Sequence, residues 1–242
     1  MDSVSEFIEK TVEATTERDV FTALATSAAN TGSEFCAIAE IIPTYLSVDK
    51  PVEHNGLLNF PDKWVTAYDE NSWSVKDPIV RHAMEIQEPM AWSELKNGFD
   101  LSKKERDLMV DAAGCGLRNG MTIGLNGSMG YYYVFSFASE DNAAPSATTL
   151  RESYSLAVLA LNKMNIIKAK RAKAETLTVR QIECLYWSAN GKSSWEIGRI
   201  LGISENTVNF HMKECLRKLD TSNRTVAAIR CVSMGLLRID QG

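Results

Sequence analysis

Histidine, cysteine and proline are scarce in this chain: three, five and six among 242 residues. The cysteines, Cys36, Cys115, Cys184, Cys215 and Cys231, never form a C-x-x-C pair. Neither a disulfide frame nor a zinc site is indicated, and they read as reduced, buried thiols. None of His54, His82 and His211 has a metal or nucleophile partner nearby in sequence. Enzyme chemistry therefore has little to work with, and no metal or cofactor is expected. No apolar run approaches the ~18 residues a membrane span needs. The opening MDSVSEFIEKTVEATTERD has acids where a secretory leader has bases, and no apolar stretch. The expected location is cytoplasmic, without a membrane partner.

Charge is present but unevenly placed. The 26 Lys+Arg and 31 Asp+Glu give a net −5, which for the whole chain argues against nucleic acid as a partner. Residues 1–167, however, hold 13 basic and 24 acidic side chains, net −11, and residues 168–242 hold 13 and 7, net +6. That asymmetry, in a chain long enough for two domains, predicts two domains with different partners. The polar, basic segment Lys168–Glu175 (KAKRAKAE) is the expected linker, dividing domains at 1–167 and 176–242.

The first domain mixes helix and strand signals. Residues 4–30 have helical spacing, and Glu34–Ile42 is a short β-branched run bounded by Gly32 and Pro43. Phe60–Asp69, Asp77–Met84 and Leu101–Ala113 read as helices, the second opening with an Asp-Pro cap. Gly120–Leu125 and Gly130–Ala138 read as strands across an Asn126-Gly127 turn, and Thr148–Ala172 as a long helix. An α+β domain follows, an antiparallel sheet sandwiched by helices. The second domain reads as four helices. Thr178/Gln181 and Ser193/Glu196 are capping boxes, Ser204 caps a third helix to about Leu219, and Ser222 caps a fourth ending near Gly235. The Leu201-Gly202-Ile203-Ser204 turn between helices is the helix-turn-helix pattern.

On the third of these helices, Val208, Met212, Cys215, Leu216 and Leu219 fall within about 100° of one another. Asn206, Asn209, Phe210, Lys213 and Arg217 fall opposite. A polar face of amides and cations suits base edges and phosphates, whereas an ordinary solvated face would need no such turn, caps or positive charge. Leu177–Leu237 closely resembles the helix-turn-helix domain of LuxR-type transcription regulators. The resemblance rests on Leu177-Thr178-x-Arg180, Glu183, Ala189-x-Gly191-Lys192-Ser193, Glu196-Ile197, Ile203-Ser204-x-x-Thr207-Val208, His211, Lys218-Leu219, Arg224 and Gly235-Leu236. It implies Asn209 and Lys213 at base edges, and Thr207, His211 and Arg217 near the backbone. Family members often carry Lys where Asn209 stands and Ala where Gly198 stands. The resemblance also implies dimeric DNA binding, with Ser222–Gly235 as the pairing helix. Its thin stripe of Val226, Ile229 and Val232/Ser233 leaves most of the dimer surface to the N-terminal domain.

The N-terminal domain lacks the evenly alternating β/α pattern of a phosphorylated receiver. Asn59-Phe60-Pro61-x-x-Trp64-x-x-x-Tyr68, Asp77-Pro78, Trp92 and Gly116-Leu117-Arg118-Asn119-Gly120 resemble instead the autoinducer-binding domain of LuxR-type quorum-sensing receptors. The implied ligand is an N-acyl-homoserine lactone of unspecified acyl group. Trp64 and Tyr68, at i and i+4, share a helix face; an indole donates only and a carboxylate accepts only. The resemblance assigns Trp64 to the lactone carbonyl, Asp77 to the amide N–H, Tyr68 and Ser136 to the amide or acyl carbonyls, and Trp92 to the lactone ring. Each also has a plainer role open to it: core aromatic, helix cap or buried strand hydroxyl. Phe60 stands where the family usually has a Tyr that donates to the amide carbonyl. Either Tyr68 or Ser136 replaces that donor, or the acyl group differs. Ala37, Ala39, Ile41, Val134 and Leu57 or Leu58 are the expected tail lining.

The expected protein is a signal-responsive regulator whose partners are a small-molecule autoinducer, a second copy of itself and a double-stranded DNA operator, with RNA polymerase as a further candidate. A receptor for another apolar small molecule, a ligand-independent regulator and a lactone-processing enzyme are the alternatives.

Overall fold

The computed structural model describes residues 2–41, 56–75, 77–86, 88–127, 131–172, 177–219, 221–233 and 236–237. Ile42, Pro43, His54, Gly130, Gly235 and residues 173–175 of the expected linker lie outside them. The chain divides into two compact units, one of Met1–Gly127 with Tyr131–Ile167 and the other including Lys168–Gly242.

The first unit opens with α1 (Ser3–Thr11) and α2 (Glu17–Ala29). The spacing over 4–30 had suggested one helical stretch. Thr16 divides it: its hydroxyl accepts the Asp19 N–H while the Asp19 carboxylate accepts those of Thr15 and Thr16. Local side-chain partners of this kind draw backbone out of a continuous helix. After β1 (Phe35–Ile41) come β2 (Leu57–Leu58), α3 (Asp62–Glu70), a single 3-10 turn at Trp73–Val75, α4 (Pro78–Ile86), β3 (Met90–Ala91), α5 (Trp92–Gly98) and α6 (Lys103–Gly114). The strands β4 (Asn119–Asn126) and β5 (Tyr132–Ser139) lead into α7 (Ala147–Ala172). The first five residues of the expected linker, 168–172, are thus the last turn of α7.

All strand pairs are antiparallel, in the order β2-β1-β5-β4-β3. Asn126 pairs with Tyr132, and the Gly127 N–H reaches the Tyr131 carbonyl at 2.9 Å. The hairpin exists, but Asn126-Gly127 is not its turn; the ladder runs past it because Tyr131 and Tyr132 extend the partner strand. Alternation then gives the sheet two faces. Cys36, Ile38, Met121, Ile123, Tyr133, Phe135 and Phe137 pack on Phe7 of α1, Val20 and Leu24 of α2 and Leu156, Ala160 and Met164 of α7. Each fully buried large side chain here contributes about 1.5–3 kcal/mol. The other face meets α3 to α6. Across that face Ala37, Ser136, Thr122 and Met90 stand in one row.

The second unit contains α8 (Val179–Ala189), α9 (Ser194–Leu201), α10 (Glu205–Lys218) and α11 (Arg224–Ser233). Both expected capping boxes form, and Ser204 caps α10 through the Thr207 N–H. The cap of α11 is a correction: Asn223, not Ser222, accepts the Thr225 and Val226 N–H groups. Asparagine is as good a cap as serine, and the one adjoining the helix takes the role. Cys184, Leu185, Ile197, Val208, Met212, Cys215, Ala227 and Cys231 make the core. Arg224 ties α11 back through Ser188 Oγ and the Lys192 carbonyl. The α9–α10 turn depends on Gly202, whose φ of 68° is left-handed. Gly198 packs so close that a Cβ there would lie 2.8 Å from the Ile203 carbonyl.

Candidate functional site

Between the second face of the sheet and α3, α4 and α6 lies a cavity of about 130 Å³, where roughly 10–15 Å³ suffices for one water. All six residues expected to hold a ligand line it: Phe60, Trp64, Tyr68, Asp77, Trp92 and Ser136. Of the expected tail residues, Ala37, Ala39, Val134 and Leu58 line it too. Leu57 packs instead with the opposite core, and Ile41 with Ala83 and Tyr132. A one-residue step along a strand reverses the face, which separates Leu57 from Leu58.

Local structure explains each placement. The Asn59 side chain accepts the Cys36 N–H and donates to the Glu34 carbonyl, fixing Phe60 beside the sheet edge. On α3, Trp64 and Tyr68 stand one turn apart, centroids 5.5 Å apart and edge-on. Trp73, from the 3-10 turn, closes the group at 5.1 Å from Trp64 and 6.3 Å from Tyr68. Trp92 lies over Gly120, where a Cβ would approach its ring to 3.1 Å and the Phe137 carbonyl to 2.4 Å. In the same Gly-rich run Gly116, with φ 104°, turns the chain so that Leu117 joins the lining.

Asp77 is at once the cap of α4 and a cavity wall. One carboxylate oxygen accepts the Ile79 N–H at 2.8 Å, and the other accepts the Tyr68 hydroxyl at 2.9 Å. Burial pushes this carboxyl above its usual range, opposed by those hydrogen bonds from Tyr68, Ile79 and Val80. Burial, with the Asp77 charge second, likewise pushes the Tyr68 hydroxyl up. Across the cavity the Trp92 indole donates to Thr122 Oγ1 at 2.9 Å, and Thr122 lies 3.1 Å from Ser136 Oγ. The Trp64 indole N–H has no hydrogen bond among the described residues. The arrangement offers an apolar enclosure, a carboxylate acceptor and a few hydroxyl and indole groups. Sequence reasoning missed Thr122, Trp73, Leu108 and Ala112. A hydroxyl in the middle of a strand, two residues out of register with nothing in the motif, signals nothing until pairing sets Thr122 beside Ser136.

A second candidate surface is on α10. Asn206, Asn209, Phe210, Lys213 and Arg217 are exposed, while Val208, Met212 and Cys215 are buried. Thr207 and His211 are half-buried. Thr207 Oγ1 meets Ser204 Oγ at 2.8 Å, and Arg217 pairs with Glu214 at 3.4 Å. Asn209 and Lys213, one turn apart, share a face with Asn206. Cys215 and Cys231, in the core beneath, have thiols pushed by burial to about 12 and about 11. All five cysteines are free, with Cys115 the one not fully buried. Among the described residues no helix is long and apolar enough to cross a membrane, and no cluster of His, Cys, Asp or Glu could hold a metal.

Residues 16–164 match the autoinducer binding domain family, and residues 175–231 match bacterial regulatory proteins of the luxR family. The chain is 35% identical to the transcriptional activator protein AhyR of Aeromonas hydrophila over 214 residues, 85% of this chain and 81% of that one. It is 35% identical to y4qH of Sinorhizobium fredii, described as an HTH-type transcriptional regulator, over 189 residues. That alignment spans 76% of this chain and 57% of the relative's length. The crystal structure of Escherichia coli SdiA has a TM-score of 0.77 at 23% identity, covering 98% of each chain, a likeness of fold.

Proposed function

The chain belongs to the LuxR family of autoinducer-binding transcription regulators, and from that premise we propose that it is a quorum-sensing receptor for an N-acyl-homoserine lactone. The lactone binds in the N-terminal cavity, and the protein acts as a homodimer on a palindromic DNA operator. One observation carries the reading: Phe60, Trp64, Tyr68, Asp77, Trp92 and Ser136 surround one cavity, with the half-buried Asp77 carboxylate in its wall. Residues 1–167 are the sensor, 168–175 the connection and 176–242 the reader.

In this reading Trp64 donates to the lactone carbonyl, Asp77 accepts the amide N–H, Trp92 packs on the lactone ring and Ser136 takes the amide carbonyl. Tyr68 orients Asp77 through their 2.9 Å hydrogen bond. An apolar cavity with inward polar groups is costly while unfilled, so the signal stabilises the sensor by mass action. The paired sensors then bring two α10 helices to half-sites about one DNA turn apart. Asn209 and Lys213 read bases, Asn206 lies at the same face, and Thr207, His211 and Arg217 lie along the backbone. RNA polymerase is the candidate partner at the promoter, and the cytoplasm is where all of these meet.

Phe60 favours one second reading, a receptor of the same family for another apolar molecule, because the family's tyrosine donor is missing there. Mass spectrometry of the small molecule that copurifies from the native host decides between them. Intact N-acyl-homoserine lactone is expected. A different acyl compound selects the second reading, and a hydrolysed lactone contradicts both.

A further inference from the structure

The hydrogen bonds already made around the cavity determine which polar groups remain for an occupant. The Trp92 indole can only donate, and its proton is on Thr122 Oγ1. Thr122 is fully buried, so its own proton needs an acceptor. Among the described residues Ser136 Oγ, 3.1 Å away, is the one it meets. The relay therefore runs Trp92 to Thr122 to Ser136, and the Ser136 proton is left to point at the cavity. Tyr68 has given its proton to Asp77. Phe60 has none to give. The side chains facing an occupant thus reduce, among the described residues, to two donors, Trp64 Nε1–H and Ser136 O–H, and one enclosed acceptor, Asp77.

A simple N-acyl-homoserine lactone matches that set group for group: lactone carbonyl, amide carbonyl and amide N–H. Among the described side chains nothing is left over for a further polar atom. The lining away from these groups is Ala37, Ala39, Leu58, Val65, Val80 and Val134, and the backbone of β1 beneath it pairs with β5 along its length and with β2 at Ala37 and Ile38. The remaining carboxylate in the lining, Asp69, is on an exposed residue and accepts only. Resting on the lactone reading above, we infer that the acyl group of the ligand has no oxygen at its third carbon: it is a plain hydrocarbon or aryl chain. A 3-oxo or 3-hydroxy group entering this tail loses its water without a replacement partner, which discriminates by about ten- to hundred-fold. In this account Thr122 is a positioning residue. It touches no ligand and sets the direction of the Ser136 hydroxyl.

Competition binding to the full chain tests this with matched pairs, hexanoyl- against 3-oxohexanoyl- and 3-hydroxyhexanoyl-homoserine lactone, repeated at eight carbons. The unsubstituted member of each pair is expected to bind about ten-fold tighter or more. Equal or tighter binding of the 3-oxo member overturns the inference while leaving the lactone reading intact. Failure of every lactone to bind overturns both. Ser136→Ala removes one of the two donors and is expected to weaken the hexanoyl ligand about three- to ten-fold. No loss there contradicts the assignment of donors.

Discussion

Asp77 is the residue on which structure and function pull against each other. Its two oxygens serve the α4 cap and the Tyr68 hydroxyl, yet burial still raises its carboxyl above the ordinary 3.8. A group whose folded value is raised favours the fold fully below its unfolded value. It favours it progressively less as pH climbs to the folded value. Ionising Asp77 in the unliganded protein therefore costs stability. Asp77→Asn keeps the shape and removes that charge. In unliganded protein, its melting temperature relative to wild type is expected to rise as pH climbs above the ordinary carboxylate value of 3.8. Its response to lactone is expected to weaken about ten-fold or more, since a hydrogen bond to a charged group contributes roughly 1.5–3 kcal/mol. Thermal melts across pH and a lactone dose response check the two halves. The six residues now seen lining one cavity were named from the sequence through the family resemblance. Thr122 was not, because its significance lies in a cross-strand neighbour 14 positions away.

At the scale of elements, capping chemistry was the most readable feature. Thr178, Ser193 and Ser204 each take the N–H three residues on. Where two good caps compete the sequence is ambiguous, as at Ser222 and Asn223. The short strands β2 and β3 escaped detection because two residues carry no period. The break between α1 and α2 escaped because apolar spacing continues across it. On α10 the division of faces follows directly from the 3.6-residue repeat, buried Val208, Met212 and Cys215 against exposed Asn209 and Lys213. Lys213→Ala is expected to weaken operator binding by about 1–3 kcal/mol in a mobility-shift titration, while random DNA loses less. Equal losses on both make Lys213 a phosphate contact. Lactone affinity should not change, since Lys213 belongs to the second unit and every residue lining the cavity to the first.

For the whole molecule, the net −5 conceals a sensor of −11 and a reader of +6. A reader that modestly basic binds DNA weakly by itself, because phosphate neutralisation supplies most non-specific affinity. In the proposed function, useful affinity then comes from two readers held together, with the sensor as the place where a signal controls that. Composition and charge made the two-part organisation visible without any structure. The cavity was not visible in this way, because its volume arises from the packing of four helices on one sheet face.

The central claim, that a lactone fills this cavity and stabilises the sensor, is tested most directly by the melting temperature of the full chain across a concentration series of hexanoyl-homoserine lactone. At a hundred times Kd, linkage contributes about 2.7 kcal/mol, which for a domain of this size raises the transition by roughly 5–10 °C. That rise is expected to grow with concentration and to be reduced in Asp77→Asn. An unchanged transition at every concentration, with this lactone and with a panel of others, contradicts it.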